Sequence, residues 1–297
     1  MLFALMTFLC WGTADLFYKI GNKKAGDYNH LKTGVCVGLI MGIHATIYMI
    51  VKRIDFNIIE IIKYLPVSLL YIISMVIGYK GLKYLELSIA SPIQNCSGVI
   101  TAILLLLFFK ETLQIPAYIA FLLILIGVIL LGVIESKEEK DNRVTLKNSL
   151  TKKKIVLLTM IFPIAYCILD GLGTFLDAIY LDKMKLISED NALIAYEYTF
   201  LIYSIITYIY LKKKRAKLTI KSEKPKVIAA IFETIGQFFY VYAMSANSII
   251  TAPVVGSYCI LSLLWSRIFL KEKLSKKHYL AISLVVIGII ILGILDI

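Results

Sequence analysis

Residues Ser88–Val133 read SIASPIQNCSGVITAILLLLFFKETLQIPAYIAFLLILIGVILLGV, and residues Ile249–Ile294 read IITAPVVGSYCILSLLWSRIFLKEKLSKKHYLAISLVVIGIIILGI. The two stretches align without a gap at a constant offset of 161 residues (92 to 253). Pro92 falls on Pro253, Lys110-Glu111 on Lys271-Glu272, Gly127 on Gly288 and Gly132 on Gly293. A Pro, a charged pair and two Gly held in one register mark an internal duplication. Each copy is two apolar runs joined at a Lys-Glu turn, and each run has about the 20 residues that a helix needs to cross a bilayer.

The rest of the chain has the same character. Hydrophobic residues make up 59% of the 297, charged residues 18%, and the charges cluster between long apolar runs. A soluble domain has roughly 45–50% apolar residues, and a β-barrel would alternate in strands of about 10 residues. The reading is an all-α polytopic membrane protein. The net charge of +12 reflects loop topology and anionic lipid rather than a nucleic-acid partner. Cys10, Cys36, Cys96, Cys167 and Cys259 all lie in apolar runs, with no Cys-x-x-Cys. That spacing favours packing over a disulfide framework or a metal site. Residues 1–20 lack a basic start, and Trp11, Asp15 and Lys19 interrupt them, so they read as a retained first span and not a leader.

Ten transmembrane helices are expected, at about 2–20, 30–51, 64–83, 87–109, 115–134, 154–175, 191–211, 226–244, 248–270 and 278–295. The charged stretch 135–153 reads as a linker between a five-helix repeat over 1–134 and a second over 154–297. Five is odd, so the second copy enters the membrane from the opposite side. The expected architecture is two inverted five-helix repeats, with a substrate site near the midplane between them. At the start of each half, Trp11-x-x-x-Asp15 is echoed by Tyr166-x-x-x-Asp170. Gly34, Gly38 and Gly42 put small residues every fourth position of the second span. Such a stripe marks a close helix seam, within the chain or in a homo-oligomer. Only six of the 32 Lys and Arg lie in loops on the side of the two termini. The positive-inside rule therefore puts the opposite loops, 137–154 and 212–226, in the cytoplasm.

Ionisable groups inside spans cost about 2.5–3.5 kcal/mol each on insertion scales and mark function. Asp15, Asp170, Glu197, Glu233 and, less deeply, His44 are the candidates; all but His44 are acids, and His44 reads as a packing histidine before a proton relay. Asp15 has Lys19 one turn away as a neutralising partner. Glu197 sits near a span start, where water is within reach. Glu233 is central in its span, with Gln237 and Tyr240 on the same face. Carboxylates lining a midplane cavity attract cations and can carry protons. Trp11, Tyr166, Tyr196 and Tyr203 would add faces for an ammonium group, whereas most of the 19 Tyr read as interfacial markers. Gln94, beside Pro92, belongs to a polar, kinkable segment that opens the fourth span; Thr251, Gly256 and Ser257 make its counterpart. The Lys-Glu pairs read as turn and anchoring residues.

The duplicated pattern resembles the EamA-type family of the drug/metabolite transporter superfamily. The residues that carry the resemblance are Trp11-Gly12, Ala90-Ser91-Pro92, Lys110-Glu111 and Gly127, then Ala252-Pro253, Lys271-Glu272 and Gly288. The resemblance implies a ten-span inverted repeat, alternating access, and movement of a small metabolite. It also implies cytoplasmic termini, opposite to the charge bias. No ATP-binding loop is present, so a gradient would drive transport. The expectation is a secondary transporter in the plasma membrane for a cationic or zwitterionic amine or amino acid, with proton coupling. Its partners are a small-molecule substrate and the lipid bilayer, with no cofactor and no metal. A flippase for a lipid-linked substrate is the alternative. A membrane-embedded enzyme or scaffold is disfavoured by the scattered His30, His44 and His278.

Overall fold

The structure, a computed structural model, describes residues 1–23, 28–85, 87–109, 114–144, 149–216, 218, 220–272 and 275–295. Among the described residues there are twelve α-helices and no strand. In the first half these are α1 (Leu2–Asn22), α2 (Asn29–Lys52), α3 (Ile59–Gly81), α4 (Leu87–Asn95), α5 (Ser97–Phe109) and α6 (Ile115–Val144). In the second they are α7 (Ser149–Ala178), α8 (Glu189–Lys213), α9 (Ile220–Ala246), α10 (Ser248–Val255), α11 (Cys259–Trp265) and α12 (Lys276–Leu295). One π-helical turn follows α7 at Ile179–Lys183, and another follows α11 at Ser266–Leu270. Among the described residues, seven helical stretches are long and apolar enough to cross a membrane. α1, which carries Asp15 and Lys19, is not one of the seven, nor are α6 and α12.

Local chemistry sets the boundaries. Ser188 accepts from the Asn191 amide and caps α8, and Asn247 accepts from the Ile250 amide and caps α10. Such caps satisfy amides that have no intrahelical partner. The chain turns left-handed at Arg53, Lys185, Arg215 and Lys271, each just past the end of a helical segment. The left-handed residue ends the helix, and the basic side chain suits the negative end of its dipole. α3 starts at Ile59, before the expected position, and carries Pro66 inside it. α6 and α7 extend as helix into the charged stretch read as a linker, leaving 145–148 outside the described residues. The Lys110-Glu111 turn also lies outside them.

α4 stops at Asn95 and α5 restarts at Ser97, while α10 stops at Val255 and α11 restarts at Cys259. Both copies of the duplicated span are thus interrupted a few residues beyond Pro92 and Pro253, whose missing amides act on the turn before them. The starts of α4 and α10 are held by acids from elsewhere. Glu272 accepts from the Leu87 amide at 3.4 Å, and Asp182 accepts from the Ser248 amide at 3.0 Å.

The packing pairs each half with the other. α1 packs on α9 and α3 on α7; α2 packs on α8, and α6 on α12; α4 packs on α11 and α5 on α10. Replacing every helix by its counterpart in the other half returns the same set of pairs. The α2–α8 seam is antiparallel. Its partners run from Val35 with Ser204, through His44 with Glu197, to Tyr48 with Asp190. The glycine stripe lies in this seam. A side chain at Gly34 would meet Tyr203, one at Gly38 the Phe200 carbonyl, and one at Gly42 Leu201. The stripe therefore serves packing within one chain. At the α6–α12 crossing a Cβ on Gly127 would press on Ala281 and Val285, and one on Gly288 on Ala120 and Ile124. Moved by the same 161 residues (127 to 288), the first contact becomes the second.

Candidate functional site

The two helix breaks face a central cavity. It is lined from α1 by Trp11, Asp15 and Tyr18, from α3 by Tyr71 and Tyr79, and from the first break by Gln94, Asn95 and Ser97. The second half contributes Tyr166, Asp170 and Thr174 of α7, Tyr196 of α8, Glu233 and Tyr240 of α9, and Gly256 and Tyr258 at its own break. Open space amounts to about 60 Å³, room for a few waters at ~10–15 Å³ each.

Glycines make the lining possible. A side chain at Gly78 would strike the Tyr166 ring and the Gln94 amide, and one at Gly236 would strike the Trp11 indole. Asp15 is buried and accepts hydrogen bonds from Ser91 at 2.6 Å and Ser262 at 2.7 Å. Those two serines belong to the two broken spans, so one carboxylate ties both halves to α1. Lys19 does not neutralise it as a helical neighbour. Its ammonium donates to the Leu82 and Leu85 carbonyls at the end of α3 instead. Asp170 shares the lining with Ser97 and Tyr166. Glu233 accepts from Tyr18 at 3.3 Å, and its backbone carbonyl takes the Trp11 indole N–H at 3.3 Å.

Seven of the 19 tyrosines line this cavity, so the interfacial reading does not apply to them. Trp11 lies 4.9 Å from Tyr240 and 5.9 Å from Tyr258 between ring centroids. The Tyr71 hydroxyl joins Tyr240 at 2.8 Å, Thr174 at 2.9 Å and Asp177 at 3.4 Å. Asp177 is fully buried and also takes the Tyr64 hydroxyl. The sequence signal that would have found it is its place two turns beyond Asp170, on the same face.

Of the residues singled out from sequence, Trp11, Asp15, Gln94, Tyr166, Asp170, Tyr196, Glu233 and Tyr240 meet in this cavity. Gln237 is buried one turn from Glu233 but outside the lining, and its side-chain nitrogen has no hydrogen-bond partner among the described residues. Glu197 does not reach water. It is fully buried and pairs with His44 at 2.8 Å, away from the cavity. Tyr203 packs on Gly34 in the α2–α8 seam instead of facing the cavity.

Electrostatically the cavity is one-sided. Among the described residues its lining holds three carboxylates, Asp15, Asp170 and Glu233, and no Lys, Arg or His. Among the described residues, no three His, Cys, Asp or Glu side chains converge as a metal-ligand group. The arrangement can hold an organic cation between carboxylates and ring faces, or hold protons on the carboxylates themselves.

A cavity at two broken helices, closed by helices from both halves, is the construction of a membrane transporter. The EamA-like transporter family profile matches residues 1–133 and 172–294, and the chain belongs to that family. An uncharacterized protein of Methanocaldococcus jannaschii, MJ1333.1, is 30% identical over 134 residues, 45% of this chain and 96% of that one. That relative is thus about as long as one half of the chain. A solved protein crystal structure superposes with a TM-score of 0.68 over 99% of this chain and 96% of its own, at 13% identity. At that identity the likeness concerns the fold alone.

Proposed function

We propose that the protein is a secondary transporter of a small organic cation, with ten spans arranged as two inverted five-helix repeats and a site that opens alternately to the two membrane faces. The observation that carries the reading is the cavity lining: three carboxylates beside Tyr and Trp faces, with no basic side chain. Buried carboxylates without a counter-ion are costly, and an ammonium group against both carboxylate and ring face is the ligand that relieves that cost. The absence of a basic partner favours an amine over an amino acid, whose carboxylate would meet like charges.

The inverted repeat is supported by the pairing of helices across the halves, by the antiparallel α2–α8 seam between counterpart helices, and by a relative of half the length. The small cavity suits a state closed around its site. Separation of the halves at the breaks after Pro92 and Pro253 would widen it. A plasma-membrane location and drive from an ion gradient belong to the same proposal.

The test is uptake into liposomes containing this protein alone, across a panel of monoamines, diamines, quaternary ammonium compounds and amino acids. Saturable uptake of amines, lost in the Glu233→Gln protein, is the expected result. Uptake confined to anionic or uncharged solutes would refute the cation site.

A further inference from the structure

Away from the cavity, the α2–α8 seam holds a second buried acid with a histidine. Glu197 is completely buried, and both of its carboxylate oxygens lie within 2.8–2.9 Å of His44 Nδ1. The His44 side chain is 31% exposed. A polar ladder leads from it toward the start of α8. Tyr48, one turn further along α2, stacks on the His44 ring with centroids 5.8 Å apart. Its hydroxyl meets Asp190 at 2.8 Å and Tyr242 at 2.6 Å, and Tyr242 donates to Asp190 at 2.5 Å. Asp190 is in the first turn of α8, at the end of the helix where the chain enters the seam.

A packing role does not call for these groups. Packing of α2 on α8 is already supplied by the glycine stripe, and Glu197 is a costly side chain to bury beside it. We propose that His44 and Glu197 form the proton-binding site of the transporter, filled through Asp190, Tyr242 and Tyr48, separate from the carboxylates that hold the cation. The proposal rests on the transport reading above.

The proton balance is simple. With one proton the pair is imidazolium and carboxylate, or imidazole and carboxylic acid, and its net charge is zero. Loss of that proton to water leaves neutral imidazole and a carboxylate, at net −1. The Nδ1–H can still be donated to Glu197 in that state, so deprotonation changes the charge without removing the contact. Tyr48 and Tyr242 can each take a proton on oxygen while giving up their own. The Tyr48 hydroxyl makes no direct hydrogen bond to the imidazole, so that step would need bridging water. From α8, Glu197 and Asp190 face the pair; from α9 come Tyr242 and the edge of Phe238. Among the described residues, no other ion pair involves His44 or Glu197. Because α2 and α8 are counterparts from opposite halves, a change of charge between them acts where the halves must move.

The experiment is a pH jump across liposomes holding the full-length protein on a solid-supported membrane, with no substrate present. The wild-type protein should give a transient charge displacement. His44→Gln and Glu197→Gln should each lose it. Tyr48→Phe should slow the transient without reducing the charge moved, which a merely structural tie would not do. In parallel, solid-state NMR of ring-labelled histidine should show His44 changing protonation over the pH range of the transient in the wild-type protein. That measurement decides the matter even if a variant fails to fold. A wild-type transient retained in both His44→Gln and Glu197→Gln, no transient at all, or a His44 ring constant over that range would overturn the proposal. Amine uptake together with any of those results would defeat the proton site alone. Loss of the transient in the variants, with no uptake of any amine, would defeat the transport reading instead.

Discussion

The α6–α12 crossing and the central cavity descend from the same duplication, and they differ in how much of its symmetry they keep. At the crossing, Gly127 presses on Ala281 and Val285 while Gly288 presses on Ala120 and Ile124, one contact made twice. In the cavity, Asp15 and Asp170 echo one another, but the serines that donate to Asp15, Ser91 and Ser262, correspond across the duplication to Ala252 and Thr101, and Thr101 donates to the Gly171 carbonyl. Glu233 has no echo: matching the Gly236–Trp11 contact to the Gly78–Tyr166 contact offsets α9 from α3 by 158 residues (236 to 78), and Glu233 then falls on Met75. Symmetric contacts suit a scaffold that must close equally well in two states. A ligand that is not itself symmetric needs a site where the symmetry is broken, and Glu233 is where this chain breaks it.

The comparison can be attacked from its functional side first. Asp15→Asn and Glu233→Gln keep side-chain volume and remove charge. Each should lower amine uptake by about tenfold or more, because truncating one partner of a desolvated charge pair costs about 2–5 kcal/mol. Initial rates in liposomes are the readout, and a paired loss confined to Asp15 would restore the symmetric view of the site. Next come the glycines. Gly127→Ala and Gly288→Ala should destabilise the protein alike, by about 1–3 kcal/mol each as overpacking, seen as matching drops of melting temperature in detergent. A drop for one and none for the other would deny the exchange symmetry of the crossing. Gly38→Ala, aimed at the Phe200 carbonyl, should cost a similar amount and loosen the α2–α8 seam. Smaller still is Tyr71→Phe, which leaves Asp177 short of a donor and should cost about 1–2 kcal/mol. The smallest effects belong to Ser91→Ala and Ser262→Ala, about 1 kcal/mol each. Because each serine comes from a different half, unequal effects on uptake would show which half grips Asp15 more tightly.

Much of the fold was legible because its signals are local. Long apolar runs, a repeated Pro and a repeated Gly act on their own helices, and the polar segments read as kinkable around Pro92 and Pro253 are where both copies of the span are interrupted. The acids were legible too, since a carboxylate in an apolar run is expensive wherever it points. What the sequence could not carry was direction. Glu197 and Glu233 look alike in one dimension; only the packing of α2 on α8 sends Glu197 to His44, and only the placing of α9 against α1 sends Glu233 to the cavity. Tyrosine is equally ambiguous, because a ring with a hydroxyl suits a membrane interface and a buried polar cavity alike. The alternative reading of Asp15 and Lys19 as a neutral helical pair fails for a related reason: the carbonyls of Leu82 and Leu85 just past α3 lie within reach of a long side chain.

The chain carries two tryptophans, and only Trp11 lines the cavity, so binding can be read directly. In a Trp265→Phe background, Trp11 fluorescence should change saturably as an amine or quaternary ammonium compound is added. That change should vanish when Asp15→Asn and Glu233→Gln are combined. An undiminished response in the charge-depleted protein, or a response to anionic metabolites and not to amines, would contradict the cation site on which the account rests.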